Sequence, residues 1–333
     1  MNRRFACLFL IVAGVVLSPF RSPAPLIYTP GEGWRYEPVG GEGKWQRTRA
    51  KDQLIVAQDA FDKKDFSLAL KAAHRVVKIW PLSDYAPQAQ YLVGRCYETK
   101  HLSERAFKEY QILVEKYPRA VHYDEVLTRQ YEIGLRFLAG EWFRVWDLIP
   151  LYKSMDKTAD IFDKIVKAGP YSSVAPQAQM KIGETREKQK KYPEAAKAYE
   201  VAADRYHDRM PIAADALYKE AMAYKKQAAT AEYDQSTAGQ AITVFTDFIT
   251  LFPDDPRGAE AQKIIALLKT EQARGNLEIA RFYEKRNRVE AARIYYNEVV
   301  SLSLADPNSA YAQTAKSRLS EINVQLRKEG GTK

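Results

Sequence analysis

The chain has 333 residues, enough for two ordinary domains or one elongated repeat array, with ample core either way. Sixteen glycines and sixteen prolines are few for this length, and abundant Ala, Gln, Glu, Lys, Arg and Tyr favour helix. The formal net charge of +9 comes from Lys and Arg interspersed with Asp and Glu along nearly every segment; with no basic stripe carrying interleaved aromatics, it describes a solvated helical surface and speaks against nucleic-acid binding.

The chain opens with a basic head, "MNRR", followed by an uninterrupted apolar run, "FACLFLIVAGVVL", at residues 5–17. Together they have the form of a secretory signal, and thirteen apolar residues are too few to span a bilayer comfortably. Residues 1–24 therefore read as a signal peptide or, continued through Pro19 and Phe20, as an N-terminal anchor; either places the bulk of the chain outside the cytoplasm. Cys7 lies inside the run, so Cys96 stands alone in the remainder and reads as a small helix-packing residue. Residues 25–49 carry Pro and Gly too densely for regular structure and read as a tether. Its Trp34, Tyr36 and Trp45 either dock on a partner or membrane surface or fold back onto the first helices.

From residue 50 to 330 apolar residues recur at three- and four-residue steps, as in Leu54, Ala57 and Phe61 or Ala106, Tyr110 and Leu113. Helix pairs are expected at 51–80, 86–117, 123–168, 175–206, 211–252 and 257–303, with a closing helix over 308–327, and nothing reads as a strand. Within this body, 50–133 holds N-terminal repeats, 134–230 extra repeats with an aromatic insertion at 139–155, and 231–330 C-terminal repeats. Residues 227–239 read as a longer connection, and 257–287 as one long helix or two nearly continuous ones.

Small and turn residues recur at a fixed interval. Ala57, Ala69 and Pro81 are spaced by twelve and twelve, as are Gly94, Ala106 and Pro118; Gly183, Ala195 and His207; and Ala280, Ala292 and Leu304. Two antiparallel helices that pack closely need a small residue on each where their backbones approach, and a stop after the second. This is the signature of an all-α tetratricopeptide-repeat superhelix of about six pairs and a closing helix. The duplicated "APQAQ" at 86–90 and 175–179 fits it as a helix start, since Pro87 and Pro176 each stand seven residues before the small residue of a first helix.

A superhelix of this kind offers a concave face lined by the first helix of each pair. Counting from the small residue, its groove-facing places are Leu54, Gln58 and Phe61 in the first pair, and Gln88, Tyr91, Arg95 and Glu98 in the second. For Leu54, packing between neighbouring repeats is an equal alternative. In the second copy of "APQAQ", Gln177, Met180 and Glu184 replace Gln88, Tyr91 and Arg95, so the copies share a scaffold and not a ligand.

Catalysis finds no support. His74, His101, His122 and His207 are scattered without metal-ligand spacing, so no metal or other cofactor is expected. There is no G-x-S-x-G, no catalytic cysteine context and no glycine-rich nucleotide loop; in "GGEGKW" the places a phosphate loop needs are held by Pro38 and Trp45. Glu184 and Glu187 lie on one helix face as solvated charge.

The order of segments resembles the BamD, or YfiO, family of tetratricopeptide lipoproteins of the bacterial outer-membrane β-barrel assembly machine. The resemblance rests on "AQDAFDKKDFSLALKAAHRVVKIWPLSDYAPQAQYLVGRCYETKHLSERAFKEYQILVEKYP", "AITVFTDFITLFPDDPRGAEAQKI" and "LEIARFYEKRNRVEAARIYYNEVV", covering 54–133 and about 231–325. It implies a non-catalytic periplasmic scaffold, peripheral to the outer membrane. C-terminal repeats would hold the barrel-forming subunit and other members of the complex, and an N-terminal groove would take unfolded outer-membrane protein segments. The contact helix would correspond to 288–303, with Arg286, Arg288, Arg293 and Tyr295 as interface residues. Two features depart from the family: Cys7 precedes most of the apolar run, so no lipobox is visible, and 134–230 exceeds the family's five-repeat body. The missing lipobox favours the alternative, another exported tetratricopeptide adaptor in pilus assembly, secretion or cell-envelope coordination.

Overall fold

The computed structural model describes residues 26–31, 33–36, 45–145, 149–230, 235–304 and 306–330; the leader read from 1–24 lies outside them. Among the described residues the helices form six successive pairs. They are α1 (Ala50–Asp62) with α2 (Phe66–Ile79), α3 (Ala86–Thr99) with α4 (Ser103–Lys116), and α5 (Tyr123–Ala139) with α6 (Met155–Ala168). Then come α7 (Ala175–Lys188) with α8 (Tyr192–Arg205), α9 (Met210–Thr230) with α10 (Gln235–Leu251), and α11 (Gly258–Lys285) with α12 (Val289–Leu302), closed by α13 (Ala310–Gly330). This is the expected all-α tetratricopeptide-repeat architecture. It divides into two compact units, Met1–Tyr123 and Asp124–Lys333, with the division at the first residue of α5.

Each pair is made by the same local devices. Pro87 and Pro176 sit in the first turns of α3 and α7, where a missing N–H breaks no intrahelical bond. Asp65 caps α2 by accepting a hydrogen bond from the Leu68 N–H at 3.0 Å. The turn inside four of the pairs places a left-handed residue seven positions past the small residue: Lys64, His101, Lys190 and Asn287, with φ of 61°, 54°, 60° and 57°. The next N–H then reaches back five residues, from Asp65 to Ala60, Leu102 to Tyr97, Lys191 to Arg186, and Arg288 to Tyr283, closing each first helix.

The twelve-residue spacing marks a true close approach. A Cβ added at Gly94 would lie 2.3 Å from the ring of Tyr110, and one at Gly183 would lie 2.4 Å from the ring of Tyr199. Tyr110, Tyr199 and Tyr296 are all enclosed, each sixteen residues after the small residue of its pair. Two of these phenols donate across their pair: Tyr110 Oη to Glu98 Oε2 at 2.8 Å and Tyr296 Oη to Glu284 Oε2 at 2.6 Å.

A second periodic feature lies four residues before each small residue, where Gln53, Gln90, Gln130, Gln179 and Asn276 are all buried. Gln90 Nε2 donates to the Glu109 carbonyl at 3.0 Å, and Gln179 Nε2 to the Ala198 carbonyl at 2.9 Å, crossing from first to second helix. In the first pair Gln53 turns to the preceding segment, accepting from the Arg47 N–H at 2.8 Å and donating to the Trp45 carbonyl at 3.3 Å. Neighbouring pairs are tied by Tyr117 Oη to the Pro81 carbonyl (2.9 Å) and Tyr206 Oη to the Pro170 carbonyl (3.1 Å).

Two expectations need correction. Two hairpins are present where no strand was expected: β1 (Leu26–Thr29) with β2 (Gly33–Tyr36), and β3 (Phe143–Val145) with β4 (Ile149–Tyr152). The first lies inside the tether, where Gly31 and Gly33 supply the positive φ of its bend; the second is the aromatic insertion, pinned by Phe143 stacked on Phe137 at 4.1 Å. The connection expected over 227–239 is shorter, because α9 runs through Thr230 and α10 begins at Gln235. Of the two alternatives for 257–287 the structure has the first, one continuous helix over residues 258–285.

Gly94→Ala is expected to lower stability by about 1–3 kcal/mol through overpacking against Tyr110, exceeding the ~1 kcal/mol that Ala gains over Gly as a helix former. Thermal and urea unfolding of the two chains measure the difference.

Candidate peptide-binding groove

A cavity of about 570 Å³ opens within the second unit along the first helices of successive pairs. Gln177, Met180 and Glu184 on α7 line it, standing six before, three before and one after Gly183. Ile212, Asp215 and Lys219 repeat that spacing on α9 around Tyr218, Tyr131 contributes from α5, and Pro256 and Arg257 from the start of α11. The repeat register that lays the small residues against the second helices therefore turns these places into the groove. Its size suits a short stretch of polypeptide.

The charges along the groove are matched. Lys181 Nζ lies 2.6 Å from Glu184 Oε2, with Lys188 3.8 Å from the same carboxylate. Burial pushes the Glu184 carboxyl up, but the Lys181 hydrogen bond and the charges of Lys181, Lys188 and Lys219 outweigh it and hold the group below the usual range. Arg257 donates from Nε and Nη2 to Asp255 and from Nη1 to Asp215, each at 2.9 Å, and its guanidinium lies 4.7 Å from the centre of the Tyr218 ring. Hydrogen bonding to Arg257 lowers the Asp255 carboxyl, and Lys219 Nζ approaches Asp215 at 3.6 Å. Three cations thus face three anions around Tyr131, Met180, Pro211, Ile212 and Pro256. Such a surface offers both signs of charge and apolar contact to an extended chain, and it has no excess of positive charge for a phosphate.

The residues singled out in the first unit lie differently. Leu54 is buried in the core with Ala57, Val76 and Val93, the packing role left open in the sequence. Phe61 is half-buried edge-on to Phe66. Arg95 lies between Phe61 and Tyr91, 5.6 and 5.7 Å from their ring centres, and donates to Tyr91 Oη at 2.9 Å. Tyr91 is stacked on His122 at 4.3 Å. Phe61, Tyr91 and Arg95 are thus brought together, with His122 as a member that sequence spacing did not supply. Gln88 is exposed and Gln58 half-buried, while Glu98 serves the pair itself by accepting from Tyr110.

On the C-terminal pair Arg286 and Arg288 are exposed, Arg286 lying over the Phe282 ring at 4.0 Å. Arg293 Nη2 pairs with Glu290 at 2.9 Å, and Tyr295 stacks on Tyr283 at 5.5 Å. The set is split between the turn and α12, where Arg293 and Tyr295, two residues apart, lie on different faces. Missing from the sequence reading were Ile212, Asp215, Lys219 and Arg257; Tyr218 occupies the small-residue place of α9, so counting from a Gly or Ala finds nothing there.

Paired helices around such a groove define a tetratricopeptide-repeat protein. Residues 151–303 match the YfiO family, described as "Outer membrane lipoprotein". The match takes in 151–230, which the resemblance drawn from the sequence placed outside the family's body, and leaves out 54–133, which it placed inside. No curated protein matches the chain. Among solved structures, the C-terminal part of a TPR repeat-containing protein from Cytophaga hutchinsonii is 16% identical, covering 80% of this chain and 87% of that one, with a TM-score of 0.36. A tetratricopeptide repeat protein from Parabacteroides merdae is 12% identical, covering 82% and 98%, with a TM-score of 0.32. YrrB, described as a TPR protein with an unusual peptide-binding site, is 13% identical, covering 65% and 92%, with a TM-score of 0.34. No helix among the described residues is long and apolar enough to cross a membrane.

Cys96 and Glu220 are buried off the groove. Burial pushes the Cys96 thiol up to about 11, which leaves it unreactive in the native fold. Glu220 on α9 is 5% exposed, and burial, reinforced by Glu200 and Asp204 of α8 and Asp247 of α10 against Lys197, raises its carboxyl to about 8. The folded chain therefore binds a proton there that the unfolded chain, near 4.5, releases. The contribution of Glu220 to stability should fall as pH rises from 4.5 to about 8 and level off above that. Glu220→Gln is expected to flatten this slope and raise the melting temperature at the alkaline end, which thermal unfolding across the window measures.

Proposed function

We propose that the chain is a non-catalytic scaffold at the periplasmic face of the outer membrane that binds polypeptide segments during β-barrel protein assembly. The observation that carries this reading is the charge-matched groove of the second unit: apart from Tyr131, its lining residues fall inside the stretch matching the outer-membrane lipoprotein family. The segments bound are those of unfolded outer-membrane proteins. The barrel-forming subunit is held through the C-terminal pair, at Arg286, Arg288, Arg293 and Tyr295. The cluster of Phe61, Tyr91 and Arg95 in the first unit is a second place for an aromatic-bearing segment.

Purification from an envelope fraction is expected to recover a β-barrel assembly subunit; recovery of a pilus or secretion complex without one contradicts the assignment. In binding assays with unfolded outer-membrane protein segments, Lys219→Glu is expected to weaken affinity at least about tenfold, with an unchanged melting temperature. A loss confined to Arg95→Glu places the site in the first unit instead, and no loss from either change contradicts a peptide groove.

A further inference from the structure

We propose that one rim of the first unit, formed by β1–β2 and the turns that join its helix pairs, is a lipid-facing surface that lays this unit against a bilayer. The inference deepens the envelope reading above and rests on it.

In a stack of helix pairs, the turns inside pairs lie at one end of the helices and the turns between pairs at the other. The two ends of this unit differ in chemistry. Inside the pairs the turns are polar, with Lys63, Lys64 and Asp65 in one and Lys100 and His101 in the other. Between pairs they present Leu82, 95% exposed, and Val121, 96% exposed. The hydrogen bond from Tyr117 to the Pro81 carbonyl sets these two turns side by side. The hairpin joins the same rim, because the Asp84 N–H donates to the Gly31 carbonyl at 2.7 Å. Its Tyr28 and Trp34, 58% and 68% exposed, lie with ring centres 5.3 Å apart.

Isolated exposed apolar residues are ordinary, but four large ones on a single rim, two of them Tyr and Trp, are not accounted for by the fold. Tyr and Trp combine an apolar body with a polar tip and favour the membrane–water interface. The order of the chain selects lipid over protein as the occupant. The hairpin begins at Leu26, nine residues after the apolar run ends at Leu17. Nine residues reach at most about 30 Å, so the run, where it is retained as an anchor, attaches the unit at this rim, and the basic end stands a helix length, about 21 Å, further along the chain's packed body.

The test uses the full chain with Cys7→Ser and a single new cysteine, Leu82→Cys, Val121→Cys or Lys63→Cys, carrying an environment-sensitive fluorophore; Cys96 is buried and stays unlabelled. On vesicles of phosphatidylethanolamine and phosphatidylglycerol with brominated acyl chains, labels at 82 and 121 are expected to shift to the blue and be quenched, and the label at 63 to do neither. A vesicle-bound chain whose label at 82 keeps its aqueous spectrum overturns the proposal. So does protection of that label from iodide in the absence of vesicles, which would make the rim a protein interface. Either failure leaves co-purification with an assembly subunit untouched, so the two readings fail separately.

Discussion

The closest approach of two helices, at the small residue of each first helix, is the constraint from which the rest of the structure follows. Where Gly94 or Gly183 lies under an enclosed tyrosine ring, no other side chain fits without moving that ring. The approach fixes the rotation of both helices about their axes, and the remaining positions inherit their surroundings from it. Four residues earlier an amide is enclosed and finds a partner, across the pair for Gln90 and Gln179 and in the preceding segment for Gln53; four residues later Glu98 or Glu284 meets a buried phenol. Seven residues later the backbone turns left-handed and returns. The faces left over, three and six residues before and one after, become the groove.

The same register carries different chemistry in the two units. In the first, Tyr91 and Arg95 fill their own surroundings, one stacked on His122 and the other held between two rings. In the second, Met180 and Glu184 occupy those places and a cavity remains beside them. Its ion pairs are half-exposed, so their worth lies less in stability than in presenting alternating charge at fixed spacing. An extended chain exchanges partners with such pairs at little cost in desolvation, as the proposed scaffold role requires.

The architecture was legible because its cause is periodic: small residues twelve apart, on helices of apolar steps, fix six pairs and a closing helix to within a few residues. The buried amides were on view in the second Gln of each "APQAQ", but a glutamine four residues before a glycine has no meaning until the facing carbonyls of Glu109 and Ala198 are placed. The left-handed turns were hidden because Lys64, His101 and Lys190 do what glycine usually does. The hairpins escaped for the opposite reason, since Pro30, Gly31 and Pro150 mark irregular chain as readily as short strands. The groove was found as a rule and missed as a place: counting positions gives Gln177, Met180 and Glu184, but which unit keeps an open cavity depends on side-chain volumes summed over three helices.

The central claim is that the groove of the second unit holds polypeptide in the envelope. Its most direct test is site-specific photo-crosslinking in growing cells from Gln177, in the groove, and from Lys197, exposed on the second helix of the same pair. The account predicts adducts with outer-membrane protein chains from Gln177 and none from Lys197. Equal crosslinking from both positions, or none from Gln177, would contradict it.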